Sequence, residues 1–113
     1  MFGVALTYTA DQSLQGDWAA SQVVSAKNTR LFSLLVVNKG ADAWLEIYDH
    51  ASAATGTPIE LPILQNSFMS LAYPNGKQFG NGVFVRLVSS QGGSIIGSTD
   101  MKVTAEFMHG PLS

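Results

Sequence analysis

Apolar and polar residues alternate along much of this chain with a period of two, the period of a β-strand whose two faces meet different surroundings. The cleanest instance is residues 101–108, where Met101, Val103, Ala105 and Phe107 share one face and Lys102, Thr104, Glu106 and Met108 the other. Residues 83–88 repeat the pattern, with Val83, Val85 and Leu87 set against Phe84, Arg86 and Val88. Residues 67–72 set Phe68 and Ser70 against Met69 and Leu71. Residues 31–37, LFSLLVV, are apolar almost without a break, too short for an ordinary helix and rich in Val and Leu. That composition predicts a strand buried on both faces. It runs into Asn38-Lys39-Gly40, residues that tolerate positive φ and predict a tight hairpin turn. The return strand to Asp49 alternates again, Leu45 and Ile47 facing the core and Trp44, Glu46 and Tyr48 facing away.

Turn signals separate the remaining segments. Residues 22–26 predict a short strand, because the Val23-Val24 pair is β-branched and disfavours the helix that the local spacing also allows. Residues 59–64 predict a strand that Pro58 and Pro62 confine to an edge or an irregular crossover. Residues 65–66, Pro74-Asn75-Gly76 and Gly80-Asn81-Gly82 read as turns, with Phe79 between the last two pinning the chain to the core. Residues 50–57 and 89–99 read as loops, the first with room for one helical turn. At the N-terminus Phe2, Val4, Leu6 and Tyr8 alternate, and a polar stretch then leads to Trp18, which fits either a strand followed by a loop or an arm. Seven or eight short strands at spacings of about ten residues, with no helical segment between them, predict a single antiparallel all-β sandwich of jelly-roll or immunoglobulin-like type. The division that follows is residues 1–20 as N-terminal strand or anchoring arm and residues 21–113 as the sandwich.

Composition then narrows the function. A chain of 113 residues is one domain, and without cysteines it has neither disulfides nor Cys-based metal sites. Charged residues make up 12%, about half the usual share. A surface so poor in charge suits burial between subunits and points to a homo-oligomer or assembly component. The six basic residues are scattered singly and the net charge is −2, which argues against nucleic acid as a partner. No stretch approaches the ~20 apolar residues of a spanning helix. The N-terminus also lacks the basic and apolar regions of a secretory signal, so no membrane partner is expected.

No residue constellation specifies a chemistry. Asp49-His50, with Glu46 upstream, comes nearest to a site, but one His and one carboxylate fall short of a zinc set and strand-end Asp and His commonly serve turns. The other carboxylates show no acid–base spacing, and no serine sits in a nucleophile elbow. No catalytic residue, cofactor or metal is expected. Trp18, Trp44 and Tyr48 fit an aromatic row for stacking sugars, or, more economically, cross-strand packing or a subunit interface. With Phe84 and the alternating Phe2, Val4, Leu6 and Tyr8, they form the candidate interface set.

Three segments carry a family resemblance: Leu35-Val-Val-Asn-Lys-Gly-Ala-Asp-Ala-Trp-Leu-Glu-Ile-Tyr-Asp49, Gly76-Lys-Gln-Phe-Gly-Asn-Gly-Val-Phe-Val85 and Val103-Thr-Ala-Glu-Phe107. An Asn-ended strand, a short turn, an aromatic-Asp strand and a Gly-x-x-Phe-x-x-Gly-Val approach to a late strand resemble small virion proteins of tailed bacteriophages. The likeness spans residues 31–107. It implies a capsid decoration or cement protein, a β-sandwich set on the outside of the head over the joints between major capsid protein subunits, and such proteins often form trimers. Location in the virion, after synthesis in the host cytoplasm, follows from the same resemblance. The alternatives are a carbohydrate-binding module on a tail or fibre, and a tail or neck subunit.

Overall fold

The computed structural model describes residues 9–90 and 100–110. Their eight strands are β1 (Gln12–Gln15), β2 (Ser21–Ser25), β3 (Thr29–Asn38), β4 (Ala43–Tyr48), β5 (Ile59–Ile63), β6 (Ser67–Phe79), β7 (Val83–Val88) and β8 (Met101–His109). They form two four-stranded antiparallel sheets, β1-β8-β3-β6 and β2-β7-β4-β5. The first strand pairs with the last, the second with the seventh, the third with the sixth and the fourth with the fifth. A chain doubled on itself in four successive pairs and wound into two sheets is a jelly roll, which decides between the two predicted sandwich types.

Between the sheets lies one apolar core. The inward residues of β8, Met101, Val103, Ala105 and Phe107, meet Leu31, Leu34 and Val36 of β3. Across the gap stand Leu45 and Ile47 of β4 and Val83, Val85 and Leu87 of β7. The predicted faces of β4, β7 and β8 are the observed ones. β5 lies at an edge, as Pro62 requires. Met108 keeps its outward register yet is only 8% exposed.

Three expectations are corrected. β3 and β4 do not form a hairpin: they lie in different sheets, and residues 39–42 cross from one to the other. The side chain of the fully buried Asn38 fixes this crossing. Its amide donates to the carbonyls of Ala41 (2.8 Å), Ile63 (3.3 Å) and Leu64 (3.3 Å), and its Oδ1 accepts from the Gly40 N–H (2.9 Å). Nor is β3 covered on both faces, since Leu31, Leu34 and Val36 point inward whereas Leu35 is 37% exposed on the outer side. Second, the polar stretch read as a loop contains β1. Its Leu14 packs on the core while Gln12, Ser13 and Gln15 face water, an edge strand needing only one apolar anchor. With the Ala19–Met101 bridge added, strand pairing begins well before residue 20, so that boundary is not the edge of the sandwich. Met1 to Tyr8 lie outside the described residues. Third, Pro74-Asn75-Gly76 does not end a strand. Residues 73–76 bulge opposite the single residue Phe32, and β6 resumes to Phe79. Gly76, at φ 80°, takes the left-handed backbone such a bulge needs.

The winding gathers alternate connections at opposite ends. Residues 16–20, 39–42 and 64–66 meet at one end, with Val88 ending β7 and Met101 opening β8 beside them, and residues 26–28, 49–58 and 80–82 meet at the other.

Candidate interaction surface

The second end is held by short side-chain clamps. Asp49 directly follows β4, and its carboxylate accepts from the N–H groups of Gly80 (3.2 Å) and Asn81 (2.8 Å), tying the end of β4 to the β6–β7 turn. His50 Nδ1 accepts from the N–H groups of Ser52 (3.1 Å) and Ala53 (3.0 Å). These are turn roles, and Glu46 takes no part in them. His109 is also apart, set edge-on to Phe107 and 3.4 Å from Ser25 Oγ. Among the described residues no three His, Asp or Glu side chains converge as metal ligands, and no pocket is present.

On the outer face of β2-β7-β4-β5, cross-strand register sets Glu46 opposite Arg86, Tyr48 opposite Phe84 and Trp44 opposite Val88. Glu46, 1% exposed, is the focus. Its Oε1 accepts from Arg86 Nε at 2.6 Å and from the Tyr48 hydroxyl at 2.8 Å, while Arg86 Nη2 donates to the Tyr48 oxygen at 3.3 Å. The guanidinium also lies 5.5 Å from the centre of the Tyr48 ring. A carboxylate this dry persists only when paired and hydrogen-bonded. Burial pushes the Tyr48 hydroxyl above its usual 10.0, and the hydrogen bond to Glu46 and the charge of Glu46 add to the rise, outweighing Arg86. For Arg86 burial works toward the neutral form, but Glu46 outweighs it and the net direction is upward.

The sign for stability follows. The folded state favours the neutral phenol, so this contribution is complete below the ordinary tyrosine range and is lost as pH rises through the raised value. Denaturation followed across alkaline pH should show stability falling above pH ~10, and Tyr48→Phe should flatten that fall. An unchanged slope in the variant would mean that Tyr48 does not carry it.

The candidate interface residues separate on this geometry. Tyr48 and Phe84 occupy the outer face as read from sequence but are 5% and 9% exposed. Trp44 is half-buried. Trp18 lies in the β1–β2 connection, 37% exposed, with Lys39 Nζ 4.2 Å and Lys102 Nζ 5.8 Å from its ring centre. Phe2, Val4, Leu6 and Tyr8 fall outside the described residues.

Among the described residues the most exposed large apolar side chains lie elsewhere. Phe68 is 65% and Leu35 37% exposed on the outer face of β1-β8-β3-β6, and Leu64 is 62% exposed in the β5–β6 connection. Register arranges this face in rows: Phe68, Val37 and Lys102, then Ser70, Leu35 and Thr104, then Ala72, Ser33 and Glu106. Sequence reasoning passed over these residues. The available signal was the apolar run Leu34-Leu35-Val36-Val37, which has more apolar side chains than one face can bury.

No family model and no curated protein matches this chain. Among solved structures it is similar to the coat protein of Tobacco streak virus, at 14% identity with a TM-score of 0.49, covering 98% of this chain and 94% of that one. Likeness at that level transfers neither function, site nor partner.

Proposed function

We propose that this protein is a non-enzymatic virion structural protein, of the decoration or cement kind, whose partner is the major capsid protein at the outside of an assembled head. The observation that carries this reading is a surface poor in charge, with 12% charged residues in the whole chain and large apolar side chains left exposed at Phe68, Leu64 and Leu35, which suits burial between subunits of an assembly. Large apolar side chains on an open face mark a surface that another chain, of the same or a different kind, covers. The sequence resemblance to tailed-phage virion proteins names the setting. A cement protein that binds only the assembled lattice stabilises it by mass action, and a jelly roll with clamped connections supplies a preformed surface for that task. A sugar-binding role is less favoured, because stacking needs a row of open aromatic faces, and of Trp18, Trp44 and Tyr48 the last is 5% exposed, Trp44 is half-buried and Lys39 Nζ lies 4.2 Å over the Trp18 ring.

The test is cosedimentation of the purified protein with heads of the virus that encodes it, before and after expansion, with its position located by electron microscopy. Binding confined to expanded heads supports the cement role. Density in the neck, tail or fibre, or no binding to heads, refutes it.

A further inference from the structure

We infer that the outer face of β1-β8-β3-β6 docks against the same face of a second copy of this chain, about a two-fold axis lying across the strands over the row Ser70, Leu35 and Thr104. The argument is one of self-complementarity and is independent of the virion role. A two-fold contact is isologous, so every residue must suit what the axis places opposite it. An axis in the plane of the contact and perpendicular to the strands keeps each strand over its own counterpart and reverses the order of the rows. Lys102 of one copy then faces Glu106 of the other, twice over. Phe68, 65% exposed, faces the small Ala72, and Val37 faces Ser33. Leu35, Ser70 and Thr104 face themselves.

Charge is thus set against opposite charge and bulk against small size in each pair of outer rows. The remaining outward residues of the face on β1, Ser13 and Gln15, are neutral and exposed. Face-to-face sheets pack with their strands at a modest angle, which leaves these pairings within reach near the axis. The docking also accounts for the apolar run in β3. Leu34 and Val36 are covered by this chain's own core, and Leu35 and Val37 by the partner copy.

The experiment is sedimentation velocity of the full chain, with Lys102→Glu, Glu106→Lys and the double swap carrying both changes. The wild-type chain should dimerise. Each single reversal sets like charges together at two symmetry-related places and should weaken the dimer by about tenfold or more. The double swap restores opposite charges and should recover most of that loss. Lys102 also contacts Trp18, so Glu106→Lys is the cleaner single change, and circular dichroism of each variant establishes that it is folded. Phe68→Ser gives an uncharged second variant that should also weaken the dimer. A wild-type chain that stays monomeric throughout the high-micromolar range overturns the proposal. So does a dimer or trimer indifferent to both reversals, or a double swap no better than the singles. Head binding lost in the single variants without any change in self-association would assign this face to a different protein and also overturn it.

Discussion

Arg86→Ala should destabilise the fold by about 3–5 kcal/mol, because it leaves the Glu46 carboxylate buried without its charge partner, holding only the hydrogen bond from the Tyr48 hydroxyl. The side chain of Glu46 is 2% exposed and that of Arg86 20%, so the pair is sheltered rather than a screened surface contact. The comparison with Glu46→Leu combined with Arg86→Leu is more telling than the single change. Removing both charges removes the need to dehydrate either, and such double replacements are often close to neutral. Urea denaturation should therefore rank the double variant above Arg86→Ala in stability. A loss below about 1 kcal/mol for Arg86→Ala, the range of an exposed ion pair, would show that Glu46 reaches water in solution.

Leu45→Ala should cost about 2–5 kcal/mol, the transfer and cavity contributions adding at a site that cannot collapse. Leu45 is fully buried in the middle of β4, with Leu61 of β5 and Leu87 of β7 at its sides in the sheet and the first sheet across the core. Backbone hydrogen bonds hold β4 on both edges, which limits how far the surroundings can close over the space. Chemical denaturation checks the value, and Glu60→Ala on the neighbouring edge strand is the control expected within about 0.5 kcal/mol of wild type. A nearly neutral Leu45→Ala would mean that the packing around β4 is looser than the fold requires.

Local pattern revealed faces better than partners. The alternation of Leu45 with Glu46, and of Val103 with Thr104, follows from the pleat alone and needs no knowledge of the rest of the chain. Whether β3 and β4 pair with each other is a different matter. Asn38-Lys39-Gly40 suits a hairpin turn, and what diverts the chain into the other sheet includes the Asn38 side chain bonding to carbonyls at 41, 63 and 64, the last two contributed by a distant segment. β1 was hidden for the opposite reason: an edge strand with one inward leucine has almost no hydrophobic periodicity to detect. On the outer faces, period two placed Tyr48 and Phe84 correctly in direction but said nothing of how neighbouring side chains cover them. Phe68 and Leu35 were overlooked because their significance lies in exposure, which only the assembled sheets define.

The pairing of β1 with β8, which joins Gln12 to Phe107 and Gln15 to Thr104, has a consequence for how the protein is made. Contacts between the two ends of the sequence give a high contact order, and closing such long loops before any reward is collected makes folding slow, on the scale of milliseconds to seconds. During synthesis β3 also lacks β8, its neighbour on one side, until residues 101–109 have left the ribosome. The sheet that displays Leu35 and Phe68 cannot be completed until those residues have emerged. Any interaction through that face therefore begins only then, which keeps shorter nascent chains from joining an assembly.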